Sequence, residues 1–177
     1  FAYLNQTGCL SVPNVDDAEQ FERTRTALQL LGMHEVLQER IFGLLSAVLH
    51  LGQVKFQSKG ADGSAIVNPE ELDIVSSLTE FSAKTLKEFL TVRHVSARNE
   101  IVQVPLTVAQ ASDTRDALAK TLYKRLFEWL VRRINRVLCK SDAKRFIGLL
   151  DIFGFEKFRY NNFEQLCINY ANEKLQH

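Results

Sequence analysis

From residue 107 to about residue 138 the sequence holds one helical period, and no other feature narrows the possible folds as far. Leu118, Leu122, Leu126, Leu130 and Ile134 fall on one stripe, flanked by Tyr123, Phe127 and Val131. Lys120, Lys124, Arg125, Arg132, Arg133 and Arg136 lie elsewhere and read as a solvated basic face. The upstream segments are helical as well. Asp16 or Asp17 can cap a helix that runs to Leu31 with Phe21, Leu28 and Leu31 inward, and Gly32 ends it. A second helix, about 35–51, is apolar nearly all round, which predicts burial on most sides. Asn68-Pro69-Glu70-Glu71 sets a cap, a first-turn proline and first-turn acids in order for a third. A shorter helix over about 83–90 follows. His50 reads as a satisfied core histidine, and Phe127 and Trp129 as packing aromatics.

Strand signals are few. Val54-Lys55-Phe56 alternates, and 58–64, with Gly60 and Gly63, reads as an exposed loop. Val92, Val95, Ile101, Val102 and Val104 are β-formers around the turn chemistry of Ser96-Ala97-Arg98-Asn99. They predict a protruding hairpin over about 92–104 that carries Arg93, His94 and Arg98. Residues 146–150 predict a buried strand, 151–156 a turn, and Asn162 the start of a last helix, with Gln165 at the capping-box position. Phe163 and Leu166 are expected to pack. The fold class is α/β, predominantly helical.

Composition excludes several classes of function. The 177 residues are 46% hydrophobic and 24% charged, enough for one ordinary core and unlike a disordered chain. A formal charge of +1 gives no overall field for nucleic acid or an anionic membrane, so a charged partner must meet a local patch. Cys9, Cys139 and Cys167 form no CxxC pair and read as reduced thiols of a cytoplasmic protein. Cys167 has no partner that marks a nucleophile. The longest apolar run, 41–51, contains Ser46 and His50 and is too short to span a bilayer. No signal peptide is evident, and both ends lack start or stop signals, so a piece of a longer protein is expected.

The turn at 151–156 carries the chemistry. An apolar strand ending in Asp is how phosphate-binding α/β proteins bring a carboxylate near Mg²⁺ or its waters. A glycine such as Gly154 lets the backbone approach a phosphate and donate its N–H. On this pattern alone an ordinary strand-to-turn junction fits as well. The longer string Gly148-Leu149-Leu150-Asp151-Ile152-Phe153-Gly154-Phe155-Glu156, followed by Asn162-Phe163-Glu164-Gln165-Leu166-Cys167-Ile168-Asn169-Tyr170-Ala171-Asn172-Glu173-Lys174-Leu175-Gln176, closely resembles switch II of the myosin motor head and the start of its relay helix. Tyr3-Leu4-Asn5-Gln6, Ala47-Val48-Leu49-His50-Leu51-Gly52, and Asp116-Ala117-Leu118-Ala119-Lys120 with Leu126-Phe127-Glu128-Trp129 resemble the same family in the same order. The resemblance covers essentially the whole chain.

It implies part of the motor-domain P-loop NTPase fold. Residues 1–145 would be the upper 50-kDa region, 146–161 the switch II strand and loop, and 162–177 the start of the relay helix. Asp151 would stand in the second shell of Mg²⁺. Gly154 would donate its amide to the γ-phosphate of ATP. Glu156 would pair with a switch I arginine and help orient the attacking water. The hairpin resembles the loop that touches an actin filament, through Arg93, His94, Arg98 and Glu100. Glu100 lies 16 residues before Asp116, where the family places an acid or a phosphorylatable hydroxyl. That would make the charge permanent; a plain solvated loop charge stays open as the alternative. The resemblance also implies a cytoskeletal setting and light chains or calmodulin on a neck outside this chain, with no nucleic acid and no membrane segment.

No GxxxxGK[ST] loop occurs, and Gly60-Ala61-Asp62-Gly63 has neither the spacing nor the lysine. The parent is therefore expected to be an actin-activated Mg-ATPase, and these residues alone are not expected to hydrolyse ATP. Two further readings stay open: a non-catalytic actin-binding or scaffold module, and another P-loop NTPase that converges on the switch. Phe153 and Gln103-Val104-Pro105-Leu106-Thr107 resemble unconventional myosins more than the muscle type.

Overall fold

A computed structural model describes all residues except 7, 9, 10, 61, 98, 99, 140–144, 146, 149 and 177, and only the backbone at 97 and 100. The chain divides into two units, Phe1–Cys139 and Lys140–His177.

The first unit opens with α1 (Asp17–Leu30), where the Asp16 carboxylate accepts from the Ala18 and Glu19 amides. Gly32, at φ +74°, ends it in the left-handed region. Next come α2 (Glu35–Leu51), β1 (Phe56–Lys59) and β2 (Gly63–Ile66). They are followed by α3 (Glu70–Leu78), α4 (Ala83–Thr91), β3 (Val92–Ala97) and β4 (Glu100–Pro105). The unit closes with α5 (Val108–Leu138), started by a capping box between Thr107 and Gln110. Its 31 residues extend about 46 Å.

That length lets one helix serve two cores. Ala119, with Leu118 and Leu122 beside it, packs into a cluster with Ala47, Leu51, Val54, Leu72, Val75, Leu86 and Leu90. One turn further on, Leu126 joins Met33 and Ile41, with Trp129, Leu130 and Ile134 packed against them. The leucine stripe is the shared wall of both clusters. Phe127 lies off it and is 59% exposed, so it is not a core aromatic. Trp129 is.

Several expectations are corrected. The second helix is less enclosed than its composition predicts: Val36 is 66% exposed, and a polar residue, Gln38, is buried. Gln38 is satisfied because its amide donates to the carbonyls of Met33 and Arg25. Phe21 is not inward but half-exposed, with its ring tilted against Phe42 at 4.9 Å. The loop read over 58–64 is mostly hairpin, pairing Phe56 with Ile66 through Lys59 with Gly63. A Cβ on Gly63 would come within 2.6 Å of the Lys59 carbonyl oxygen, so glycine here permits close strand approach. Asn68 does not cap α3. Its amide donates to the Gln53 carbonyl and its oxygen accepts from the Lys55 amide, tying the chain ahead of β1 to the chain after β2.

In the second unit, α6 spans Phe163–Gln176. The buried strand expected over 146–150 is not found: residues 147, 148 and 150 are exposed and in no strand, and 146 and 149 lie outside the described residues. A strand needs a neighbour for its N–H and C=O groups, and neither described sheet contains this segment. Phe163 and Leu166 are mostly exposed instead of packed, because one helix and one irregular segment make no second layer to bury them. Among the described residues no helix is long and apolar enough to cross a membrane.

Candidate functional site

The turn at 151–156 is stitched to α6 by three side chains at positions i, i+4 and i+7, which share one helix face. Asn169 brackets Glu156: its oxygen accepts from the Glu156 amide and its NH₂ donates to the Glu156 carbonyl, each at 2.7 Å. Asn172 donates to the Phe153 carbonyl at 2.6 Å and back to the Ile168 carbonyl at 2.9 Å. Gln165 accepts from the Asn162 amide at 2.8 Å and reaches the Glu156 carboxylate at 3.4 Å. Of the expected capping box only the Gln165 half is seen, and that side chain also reaches the turn. Sequence reasoning singled out Glu156 and Gln165 and passed over Asn169 and Asn172. Their spacing from Gln165 was the available signal.

Asp151 is exposed, and a Cβ on Gly154 would meet nothing within 4 Å. The arrangement fits a phosphate with Mg²⁺ in two respects: the space beside the Gly154 Cα is open, and an exposed carboxylate suits a hard cation. Among the described residues no group of three or more His, Cys, Asp or Glu side chains stands ready to enclose a metal.

The β3–β4 hairpin holds the other expected residues. Arg93 and His94 are exposed on β3, paired across to Val104 and Gln103. His94 Nε2 lies 3.5 Å from the Glu88 carboxylate and 3.4 Å from the Gln103 amide nitrogen. The backbone of Glu100 stands opposite Ala97 at the start of β4, and Arg98 lies outside the described residues. So the hairpin brings Arg93 and His94 together on one strand. Cys139 and Cys167 are free and exposed, and Cys9 lies outside the described residues. His50 is satisfied as expected, with Nδ1 at 2.7 Å from the Glu71 carboxylate.

One polar cluster had no signal in the sequence. The Tyr3 hydroxyl donates to Asp116 Oδ1 at 2.5 Å, and Arg115 donates to the same oxygen from Nε at 2.9 Å and Nη2 at 2.8 Å. Arg115 Nη1 donates to the Val54 carbonyl at 2.8 Å. Burial, then the bond to and the charge of Asp116, push the Tyr3 hydroxyl up to about 12. Burial alone would raise the Asp116 carboxyl, but bonds from Arg115 and Tyr3 outweigh it and hold it below the usual carboxylate range.

These features define a class: a mostly helical chain with two small antiparallel hairpins and an exposed turn tied to the helix that follows. The family model for the myosin head (motor domain) matches residues 1–177, and the chain belongs to that family. It is 46% identical to Myosin-I heavy chain of Dictyostelium discoideum over 99% of this chain and 8% of that protein. It is 41% identical to Myosin-17 of Arabidopsis thaliana, over 99% of this chain and 12% of that one. Identity to Myosin-1 of Emericella nidulans is likewise 41%, covering 99% and 15%. The chain thus spans less than a sixth of the length of these relatives.

Proposed function

We propose that the chain is part of an actin-based, ATP-driven cytoskeletal motor, and that 151–156 is its γ-phosphate sensor. The observation that carries this reading is the stitch from Asn169 and Asn172 to Glu156 and Phe153, because a sensor is useful only if its movement reaches something else. In this reading that something is the helix begun at Phe163.

ATP with Mg²⁺ supplies the phosphoryl group whose presence or loss is sensed. Toward it, Asp151 would hold a water of the metal, and the Gly154 N–H would donate to a γ-phosphate oxygen. Glu156, whose main chain is held by Asn169 and whose carboxylate Gln165 reaches at 3.4 Å, would turn its other carboxylate oxygen to an arginine and help orient the attacking water. When the Gly154 contact is lost, the turn is free to shift, and the asparagines pass that shift to α6. Residues 1–145 form the region that carries the hairpin to an actin filament, with Arg93, His94, Arg98 and Glu100 as its contacts.

The test is ATP turnover by the full-length protein with and without actin filaments. Actin-stimulated hydrolysis that is lost in Gly154→Ala and Glu156→Ala supports the assignment. Filament binding without any hydrolysis would favour a scaffold role and overturn it. Residues 1–177 alone should show no steady turnover, since they contain no phosphate-binding GxxxxGK[ST] loop.

A further inference from the structure

Two helices of the first unit wall one groove with the same spacing. From α2 it takes Leu37, Arg40, Ile41 and Leu44, and from α5 Leu122, Arg125, Leu126 and Trp129. Each set stands at i, i+3, i+4 and i+7, positions that share a helix face, and each puts an arginine at i+3. Ile41 and Leu126 are buried and make the floor, and the other apolar members are half-buried walls. Arg40 and Arg125 are exposed, and neither has an ion pair or a hydrogen bond among the described residues. Arg23, Arg25 and Arg115, in contrast, each meet a carboxylate. Packed helices ordinarily set opposite charges beside their shared apolar seam. Here both helices bring arginine, and no acidic side chain lines the groove.

We propose that this groove docks an acidic amphipathic α-helix of a partner protein, with apolar side chains along one face and carboxylates beside them for Arg40 and Arg125. The void is about 300 Å³, at the bottom of the range for small-molecule sites, and it lies open instead of enclosing its contents. A small ligand would stay largely wet there. A helix laid across the groove buries its apolar tips and leaves its far face to solvent, so the shape favours a helix.

Charge decides which helix. A guanidinium fork holds a carboxylate through paired charge-assisted hydrogen bonds, and two such forks on neighbouring helices fix the orientation of what lies between them. The same pair works against wrong partners, because a basic helix meets like charge on both sides of the groove. None of this rests on the phosphate-sensor or actin reading.

The experiment titrates the full-length protein, without nucleotide or actin, into two fluorescein-labelled helical peptides and follows anisotropy. Both carry leucine at i, i+3, i+4 and i+7; glutamates flank the leucines in one and lysines in the other. Wild type should bind the acidic peptide, and the basic one roughly tenfold more weakly. Arg40→Glu and Arg125→Glu should each weaken the acidic peptide by about three- to thirtyfold, one exposed pair lost and one repulsion gained. The double reversal should prefer the basic peptide, an exchange that damage to the fold cannot produce. Arg40→Gln with Arg125→Gln should bind the two peptides alike, and it keeps the test decisive if the reversals unfold the protein. Equal affinity of wild type for both peptides, or binding of neither, overturns the proposal. So does displacement of the acidic peptide by phosphatidylserine vesicles, or self-association that the same reversals abolish, since the occupant is then a lipid surface or a second copy.

Discussion

Tyr3 is held at its hydroxyl by Asp116 and along one edge of its ring by Gly52. An alanine Cβ at Gly52 would come within 2.7 Å of the ring. Gly52 has ordinary right-handed backbone, φ −61° and ψ −17°, where alanine normally stabilises by about 0.4–1 kcal/mol. Here the ring cannot swing away without giving up Asp116. Gly52→Ala should therefore destabilise by about 1–3 kcal/mol and turn stabilising once Tyr3→Ala removes the ring; urea midpoints of the four proteins decide it, and an unchanged sign sinks the account. Tyr3→Phe should cost about 1 kcal/mol, below the usual range for a bond to a charged group because Asp116 is partly exposed. The pH dependence has a definite sign. A hydroxyl raised from 10.0 to about 12 in the fold adds stability that is complete below pH 10 and is lost as pH rises through 12. The depressed Asp116 carboxyl adds stability above its ordinary pKa and loses it on acidification. Tyr3→Phe should flatten the alkaline limb of a stability–pH curve. The partners stand 113 residues apart, and no local pattern in a sequence encodes such a pair.

Legibility changes at the level of elements. The period of α5 was readable because burial on a helix repeats every 3.6 residues, and a stripe that long has no competing interpretation. The packing confirms which residues matter. Leu126→Ala should cost about 2–4 kcal/mol, since Leu126 joins Met33 and Ile41 in a core, while Phe127→Ala, on an exposed face, should cost less than about 1 kcal/mol. Equal losses in chemical denaturation would mean the stripe has been assigned to the wrong face. Short strands were readable only where β-branched residues clustered, as in β3 and β4. The β1–β2 hairpin was hidden because its glycines signal a loop, whereas Gly63 is there to let Lys59 come close. Asn68 illustrates the same limit: a cap signature and a cross-link between two chain segments use one residue type. The strand expected at 146–150 was inferred from apolar content, which says nothing about whether a pairing neighbour is present.

For the whole molecule, the family assignment and the stitched turn make a claim about coupling that a single pair of substitutions can test. Asn169 uses both ends of its amide on Glu156, so two replacements fail in different ways. Asn169→Ala removes an acceptor and a donor that water can partly replace at this half-buried position. Asn169→Asp keeps the acceptor for the Glu156 amide but sets a carboxylate oxygen against the Glu156 carbonyl, 2.7 Å away in the native geometry. The aspartate should therefore disturb the link more than the alanine, although it is closer in shape. If 151–156 senses phosphate and α6 carries the signal, full-length Asn169→Asp should still hydrolyse ATP. Filament movement per ATP consumed should then fall by about 2- to 30-fold, the range expected for a coupling residue. Sliding velocity and turnover measured on the same preparations separate the possibilities. A proportional fall in both would place Asn169 in the chemistry, and no change in either would reduce the stitch to a packing detail. An alanine worse than the aspartate would show that volume, not the direction of the hydrogen bonds, holds the turn to its helix.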